Sequence, residues 1–315
     1  MSLRSLFSID FKKYIPGFII NFLSKLKYLF KKISPIILFL TVISFWALMG
    51  IVFLTDGFSD SEQSVDATDS VIATEPTTTT KPAVCNVLQI RLEGDLLSYI
   101  PYDSRNENGG TTIDAVSSED IVSAIEYADK DENIKAIIME IDSMGGYPTA
   151  AEEIANALKR TKKITIALIR VNGNSAAYWS ATGANVIFAS ALSDIGSIGV
   201  TSSYLDNTKQ NEKDGLTYNQ LSIGKYKDML NSDKPLTEEE KKLVERDLKI
   251  TYENFIKVIA ENRKMDIEKV RTLADGSSML GQMALENGLI DKIGGINEVK
   301  EYLKEKIGEE VEVCK

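Results

Sequence analysis

Residues 134–146, IKAIIMEIDSMGG, and residues 164–175, ITIALIRVNGNS, share one design. Each is an apolar run rich in β-branched residues that ends in small ones. A helical pattern follows each: Ala150–Leu158 after the first, and a segment opening at Ser175 after the second. Such a run suits a strand buried on both faces, and the helix after it supplies a crossover to the next parallel strand. Shorter strands are predicted at 86–92 (NVLQIRL) and 186–190 (VIFAS). Ser117 is expected to begin a helix, with Asp120 at the capping-box position and Ile121, Ile125 and Ala128 at helical spacing. A longer helix opens at Thr237, where Glu240 completes a capping box. Its face of Val244, Leu248, Tyr252, Phe255 and Ile259 reads as core or subunit packing. The repeated strand, small-residue turn and helix predict an α/β architecture with parallel strands.

Upstream of this folded part, charge is unevenly divided. Residues 1–55 hold seven basic groups against one acid, Asp10, a net of +6. The whole chain carries −10, which leaves −16 on residues 56–315. A surface that acidic repels phosphate backbones, so nucleic acid is not an expected partner. Ile36–Leu54 carries no charge and as a helix spans roughly 28 Å, about the thickness of a bilayer's hydrocarbon. No small-residue cleavage site follows it, which favours an uncleaved anchor over a signal peptide. All seven basic groups precede the anchor and acids follow it, so the N-terminus is expected in the cytoplasm and the rest on the periplasmic or extracellular side. Residues 15–30 mix Phe18, Ile19, Phe22, Leu23 and Leu26 with Lys25 and Lys27, as in a basic helix lying on anionic lipid. Lipid contact is thus expected through residues 15–54. The expected organisation is a basic cytoplasmic or interfacial segment at 1–34, a transmembrane anchor at 35–55, an acidic, Thr/Pro-rich linker at 56–84 and a folded domain at 85–315.

Two cysteines, Cys85 and Cys314, bracket that domain and are too few for a metal cluster. The simpler reading is two unrelated thiols. The alternative is a disulfide tying the ends together, which requires an oxidising compartment.

The chain contains no histidine. That excludes a Ser-His-Asp triad, a Cys-His pair and a His-bearing zinc site. If an acyl bond is hydrolysed here, a neutral lysine is the main alternative acceptor for a nucleophile's proton. Ser175 stands where a strand hands over to a helix, a place that suits either a nucleophile or an ordinary N-cap. Gly145 and Gly146 end a strand, where amides without a Cβ can approach an oxyanion or simply make a tight turn; each such donor is worth roughly 3 kcal/mol to a transition state. Lys225 and Lys227 lie in a segment that reads as extended, which turns both to one side and Tyr226 to the other, so orientation alone does not choose between them. A lysine base near neutral pH must lose its proton about 3 pH units below its usual value, a cost of roughly 4 kcal/mol met by desolvation. An ion pair with Asp228 would oppose this. Ser197, in Asp194-Ile195-Gly196-Ser197-Ile198-Gly199-Val200, is placed to hydrogen-bond such an amine or to act as a turn hydroxyl.

Five blocks in order carry a resemblance: Asp142-Ser143-Met144-Gly145-Gly146, Asn174-Ser175-Ala176-Ala177-Tyr178, Gly196-Ser197-Ile198-Gly199-Val200, Gly224-Lys225-Tyr226-Lys227-Asp228 and Gly281–Asp291. Over roughly residues 86–300 the chain resembles the signal peptide peptidase A family, of the short kind with one catalytic unit per chain. The resemblance implies a ClpP/crotonase-like fold and a Ser/Lys serine peptidase. It also implies Ser175 as nucleophile, Lys227 as base, Ser197 orienting the lysine, and Gly145 or Gly146 lining the oxyanion hole. No metal or cofactor is implied. Signal peptides or other apolar peptides are the implied substrates, and the implied assembly is a homo-oligomer whose subunits share the dyad. Two positions depart from the family pattern. Ala176-Ala177 stand where it usually has Gly-Gly, and Met144 stands where it usually has Pro. The alternative reading is a catalytically inactive scaffold or membrane assembly factor on the same fold. An acyl-CoA enzyme is disfavoured by the expected location outside the cytoplasm.

Overall fold

The computed structural model describes residues 85–104 and 112–314. The segments expected at 1–34, 35–55 and 56–84 lie outside the described residues. Among the described residues no helix is long and apolar enough to cross a membrane.

The chain enters through β1 (Val87–Leu97) and β2 (Ala115–Ser117), then runs α1 (Ser118–Lys130), β3 (Ala136–Gly146), α2 (Pro148–Arg160) and β4 (Ile164–Asn174). It continues through α3 (Ala176–Ala181), β5 (Val186–Ala189), β6 (Asp194–Gly196), α4 (Thr208–Lys213), α5 (Glu238–Arg263) and α6 (Ile267–Leu273). It closes with β7 (Ser278–Leu280), α7 (Gly281–Asn287), β8 (Lys292–Ile293), α8 (Ile296–Ile307) and β9 (Val313–Cys314). The main sheet has the order β2-β1-β3-β4-β5-β8, with β9 added to β1 and β6 to β4. All its pairs are parallel except β6 with β7. This fits the expected ClpP/crotonase-like architecture.

Alternation along β3 explains why its sequence is apolar throughout. Ile137, Met139 and Ile141 point to one face, where Ile121 and Ile125 of α1 and Ile154 and Leu158 of α2 cover them. Ala136 and Ile138 point to the other, against Val299 and Leu303 of α8. Covering each such Leu or Val is worth about 1.5–3 kcal/mol. Both capping predictions hold. The Ser117 hydroxyl accepts from the Asp120 amide at 3.0 Å, and Thr237 and Glu240 form a reciprocal box at the start of α5. Along α5 the expected stripe divides in two. Phe255 and Ile259 are buried, whereas Val244 and Leu248 in its first half are only partly covered.

Cys85 and Cys314 are disulfide-bonded. The reading of two unrelated thiols is therefore overturned: β9 pairs with β1, bringing Cys314 opposite Leu88 and within reach of Cys85. Between β6 and α5 the chain forms an arm over 200–236 that is exposed for most of its length, with Leu221 98% and Ile223 99% accessible.

Candidate active site

Ser175 follows the last residue of β4 and opens α3 with φ 52° and ψ −124°, in the left-handed region that costs a non-glycine residue about 1–3 kcal/mol. Its neighbours hold it there. The Ser175 amide donates to the Gly196 carbonyl at 2.8 Å, and its carbonyl accepts from the Trp179 amide at 3.0 Å. One residue back, buried Asn174 donates from Nδ2 to Asp194 Oδ2 at 2.9 Å, tying the end of β4 to β6. Ser175 is the N-cap of α3 by position, but its hydroxyl makes no capping bond to the helix. It is left available for chemistry.

The glycine pair arrives beside it through two register shifts, one in β1·β3 between Glu93 and Asp95 and one in β3·β4 between Ile141 and Ser143. Gly145 has φ 116°, and a methyl added there would come within 2.8 Å of the Ser175 Cβ. Its amide is already engaged, donating to Ser143 Oγ at 3.0 Å, while that hydroxyl donates to the Gly94 carbonyl at 2.6 Å. Gly146 packs so closely on β1 that a methyl would stand 2.1 Å from the Leu96 carbonyl oxygen. Of the two glycines, Gly146 lines the cavity that holds Ser175.

That cavity measures about 470 Å³. Ser197 lines it as well, with φ 46° and its hydroxyl donating to the Gly276 carbonyl at 3.2 Å. The apolar wall is Trp179 stacked on Phe255, ring centroids 4.9 Å apart, with Tyr252 beside them held by a 2.7 Å bond to the Ala274 carbonyl. Ala176 lines the same cavity, whereas Ala177 is fully buried in the core.

Neither lysine lines the cavity. The extended segment expected around them is instead a turn. Gly224 at φ 101° reverses the backbone, and i→i+3 bonds join Lys227 to Gly224 (3.1 Å) and Met229 to Tyr226 (3.2 Å). The structure separates the two lysines by their partners. Lys225 is ion-paired with Glu239, which holds its ammonium above the usual range, with Tyr226 adding to the effect. Lys227 is exposed, and its ammonium has neither ion pair nor hydrogen bond among the described residues. Asp228 does not pair with it; the carboxylate accepts from Tyr218 Oη and Asn231 Nδ2.

Comparison with known proteins gives this arrangement a setting. Residues 156–310 match the family model of peptidase family S49. A protein of Enterococcus faecium, provisionally named signal peptide peptidase SppA, is 32% identical over 191 residues, covering 60% of this chain and 56% of that protein. A chloroplastic serine protease SPPA of Arabidopsis thaliana is 32% identical over 196 residues, 61% of this chain and 29% of the relative. Protease 4 of Haemophilus influenzae is 28% identical over 198 residues, 60% of this chain and 32% of the relative.

This chain is similar to peptidase family S49 over 155 of its 315 residues. It spans just over half the length of the Enterococcus relative and about a third or less of the other two. Within this chain the fold gathers Ser175, Ser197 and Gly146 around one cavity, with Gly145 packed beneath Ser175, and keeps Lys225 and Lys227 away from it. Sequence reading passed over the wall. Tyr252 and Phe255 were absorbed into a helical stripe that reads as core, and Trp179 had a usable signal, since it follows Ser175 by one helical turn. The anchoring pair Asn174–Asp194 had none, because 20 residues separate its members.

Proposed function

We propose that this chain is a membrane-anchored serine peptidase in which Ser175 is the nucleophile and Lys227 of a second copy is the general base. The observation that carries the reading is the free hydroxyl of Ser175, held at a strained φ in a cavity with Gly146, in a chain with no histidine. Ser175 Oγ attacks the peptide carbonyl carbon while the neutral Lys227 amine takes its proton. The Gly146 amide stabilises the oxyanion, and the proton passes to the leaving amine as the C–N bond breaks. Water then attacks the acyl-enzyme carbonyl, giving its proton to Lys227, which passes it to Ser175 Oγ as the ester bond breaks, so that both groups return to their starting state. Ser197 steers the lysine amine. Lys227 is preferred to Lys225 because Lys225 is already neutralised by Glu239.

A second copy is invoked for two reasons. Lys227 sits outside the Ser175 cavity on an exposed arm, and that arm carries Leu221 and Ile223, whose nearly complete exposure disfavours their remaining in water. Docking the arm on another copy would also supply the desolvation that a neutral lysine needs. The Trp179, Phe255 and Tyr252 wall suits an extended apolar peptide, and the relative named a signal peptide peptidase makes signal peptides the first substrate to try. The Cys85–Cys314 disulfide favours an oxidising location outside the cytoplasm, in line with the anchor expected at 35–55.

The test is hydrolysis of a signal-peptide substrate together with labelling by a serine-directed acylating reagent. Ser175→Ala and Lys227→Ala should each abolish turnover in a folded protein, while Lys225→Ala keeps it. Wild-type turnover in either of the first two would remove the dyad. A wild-type protein that never acylates Ser175 would favour the inactive scaffold, the reading that Ala176-Ala177 motivates.

A further inference from the structure

We infer that Tyr218 and Asn231 form a clamp that withholds the Asp228 carboxylate from the adjacent Lys227. The inference rests on Lys227 being the general base and names the positioning residues that keep it usable. Tyr218 Oη donates to Asp228 Oδ2 at 2.7 Å. Asn231 Nδ2 donates to Asp228 Oδ1 at 3.1 Å and to Tyr218 Oη at 2.9 Å, so both carboxylate oxygens are occupied within a closed triangle. The Asn231 amide is itself oriented, because its Oδ1 accepts from the Asp233 amide at 2.9 Å; Asp233 in turn accepts from Asn211 at 3.0 Å. Donation to the carboxylate holds the Tyr218 phenol above its usual range, with Asp233 adding to it. The other polar groups of the turn reach α5 instead, with Lys225 ion-paired to Glu239 and the Tyr226 hydroxyl donating to the same carboxylate.

The reason for such a clamp is electrostatic. An Asp–Lys pair on an exposed arm is worth little. Once the arm docks and water is excluded, the same pair becomes several times stronger and keeps the amine protonated. A base followed directly by aspartate therefore works only if that carboxylate is engaged elsewhere. Sequence spacing gives no hint of this, since the two hydroxyl and amide donors lie 10 residues before and 3 residues after Asp228.

The experiment measures Ser175 acylation against pH in the full chain for wild type, Tyr218→Phe, Tyr218→Phe/Asp228→Asn and Lys227→Ala. Tyr218→Phe should move the midpoint of the rising limb up by about one pH unit, so that the rate at pH 7 falls about tenfold and recovers at higher pH. Adding Asp228→Asn should restore the wild-type profile. A loss equal at every pH and not restored by Asp228→Asn would make Tyr218 merely structural and overturn the clamp, as would an unchanged profile while Lys227→Ala is silent. Full acylation in Lys227→Ala would instead remove the dyad reading on which the clamp depends.

Discussion

At the scale of single residues, Ser175 stores strain where the proposed chemistry needs it. Ser175 lines the cavity at a left-handed φ of 52° with no capping bond from its hydroxyl to α3, and its backbone bonds to Gly196 and Trp179 hold that conformation. Glycine accepts that φ without penalty. Ser175→Gly should therefore be inactive yet unfold about 1 kcal/mol later than wild type by denaturant titration; a less stable variant would mean the turn is unstrained. Ser175, Gly145, Gly146 and Ser197 stand out in the sequence as candidates because each sits in a short block of small residues. Strand orientation left Lys225 and Lys227 equivalent, and only the family resemblance favoured Lys227. A salt bridge to Glu239, 14 positions away at the start of α5, is what distinguishes them.

At the scale of elements, the start of α5 fixes where the arm ends. Glu240 is buried, accepting from Lys234 at 2.7 Å and from the Thr237 amide and hydroxyl at 2.9 Å each. The Lys234 ammonium first, then the Thr237 donors, pull its carboxyl down to about 2. Because the folded-state value is depressed, this stabilisation is complete above the unfolded glutamate value of about 4.3 and is lost as pH falls toward about 2. Thermal unfolding should thus lose stability over that window in wild type, and Glu240→Gln should flatten the loss while lowering Tm at neutral pH. Identical slopes in the two proteins would remove Glu240 as the source. The capping box was legible from Thr237 and Glu240 alone. Its second partner, Lys234, was not, because nothing local requires the chain before a cap to fold back on it.

For the whole molecule, two features join distant parts. The disulfide links residues 229 positions apart and stitches β9 onto β1, the strand that also pairs with β2 and β3. A closure of that length is worth about 3–5 kcal/mol through the unfolded chain, so reduction, or Cys314→Ser, should lower stability by that order in denaturant titrations, with a steeper slope because the unfolded chain expands once the crosslink is gone. The exposed arm makes the other prediction. Ser175→Ala and Lys227→Ala proteins, each inactive, should regain partial turnover when mixed, and dilution should extinguish wild-type activity. No recovery on mixing would point to a dyad within one chain.

Sequence by itself determined the parallel α/β fold, both helix caps and the nucleophile candidate with its glycines, since each is written in neighbouring residues whose pattern has one good solution in water. Tertiary structure alone decided which lysine is free, what occupies Asp228, which glycine lines the cavity and that Cys85 meets Cys314. Those answers depend on which distant groups the folded chain brings within bonding distance, and hydrogen bonds and ion pairs act only over a few ångströms.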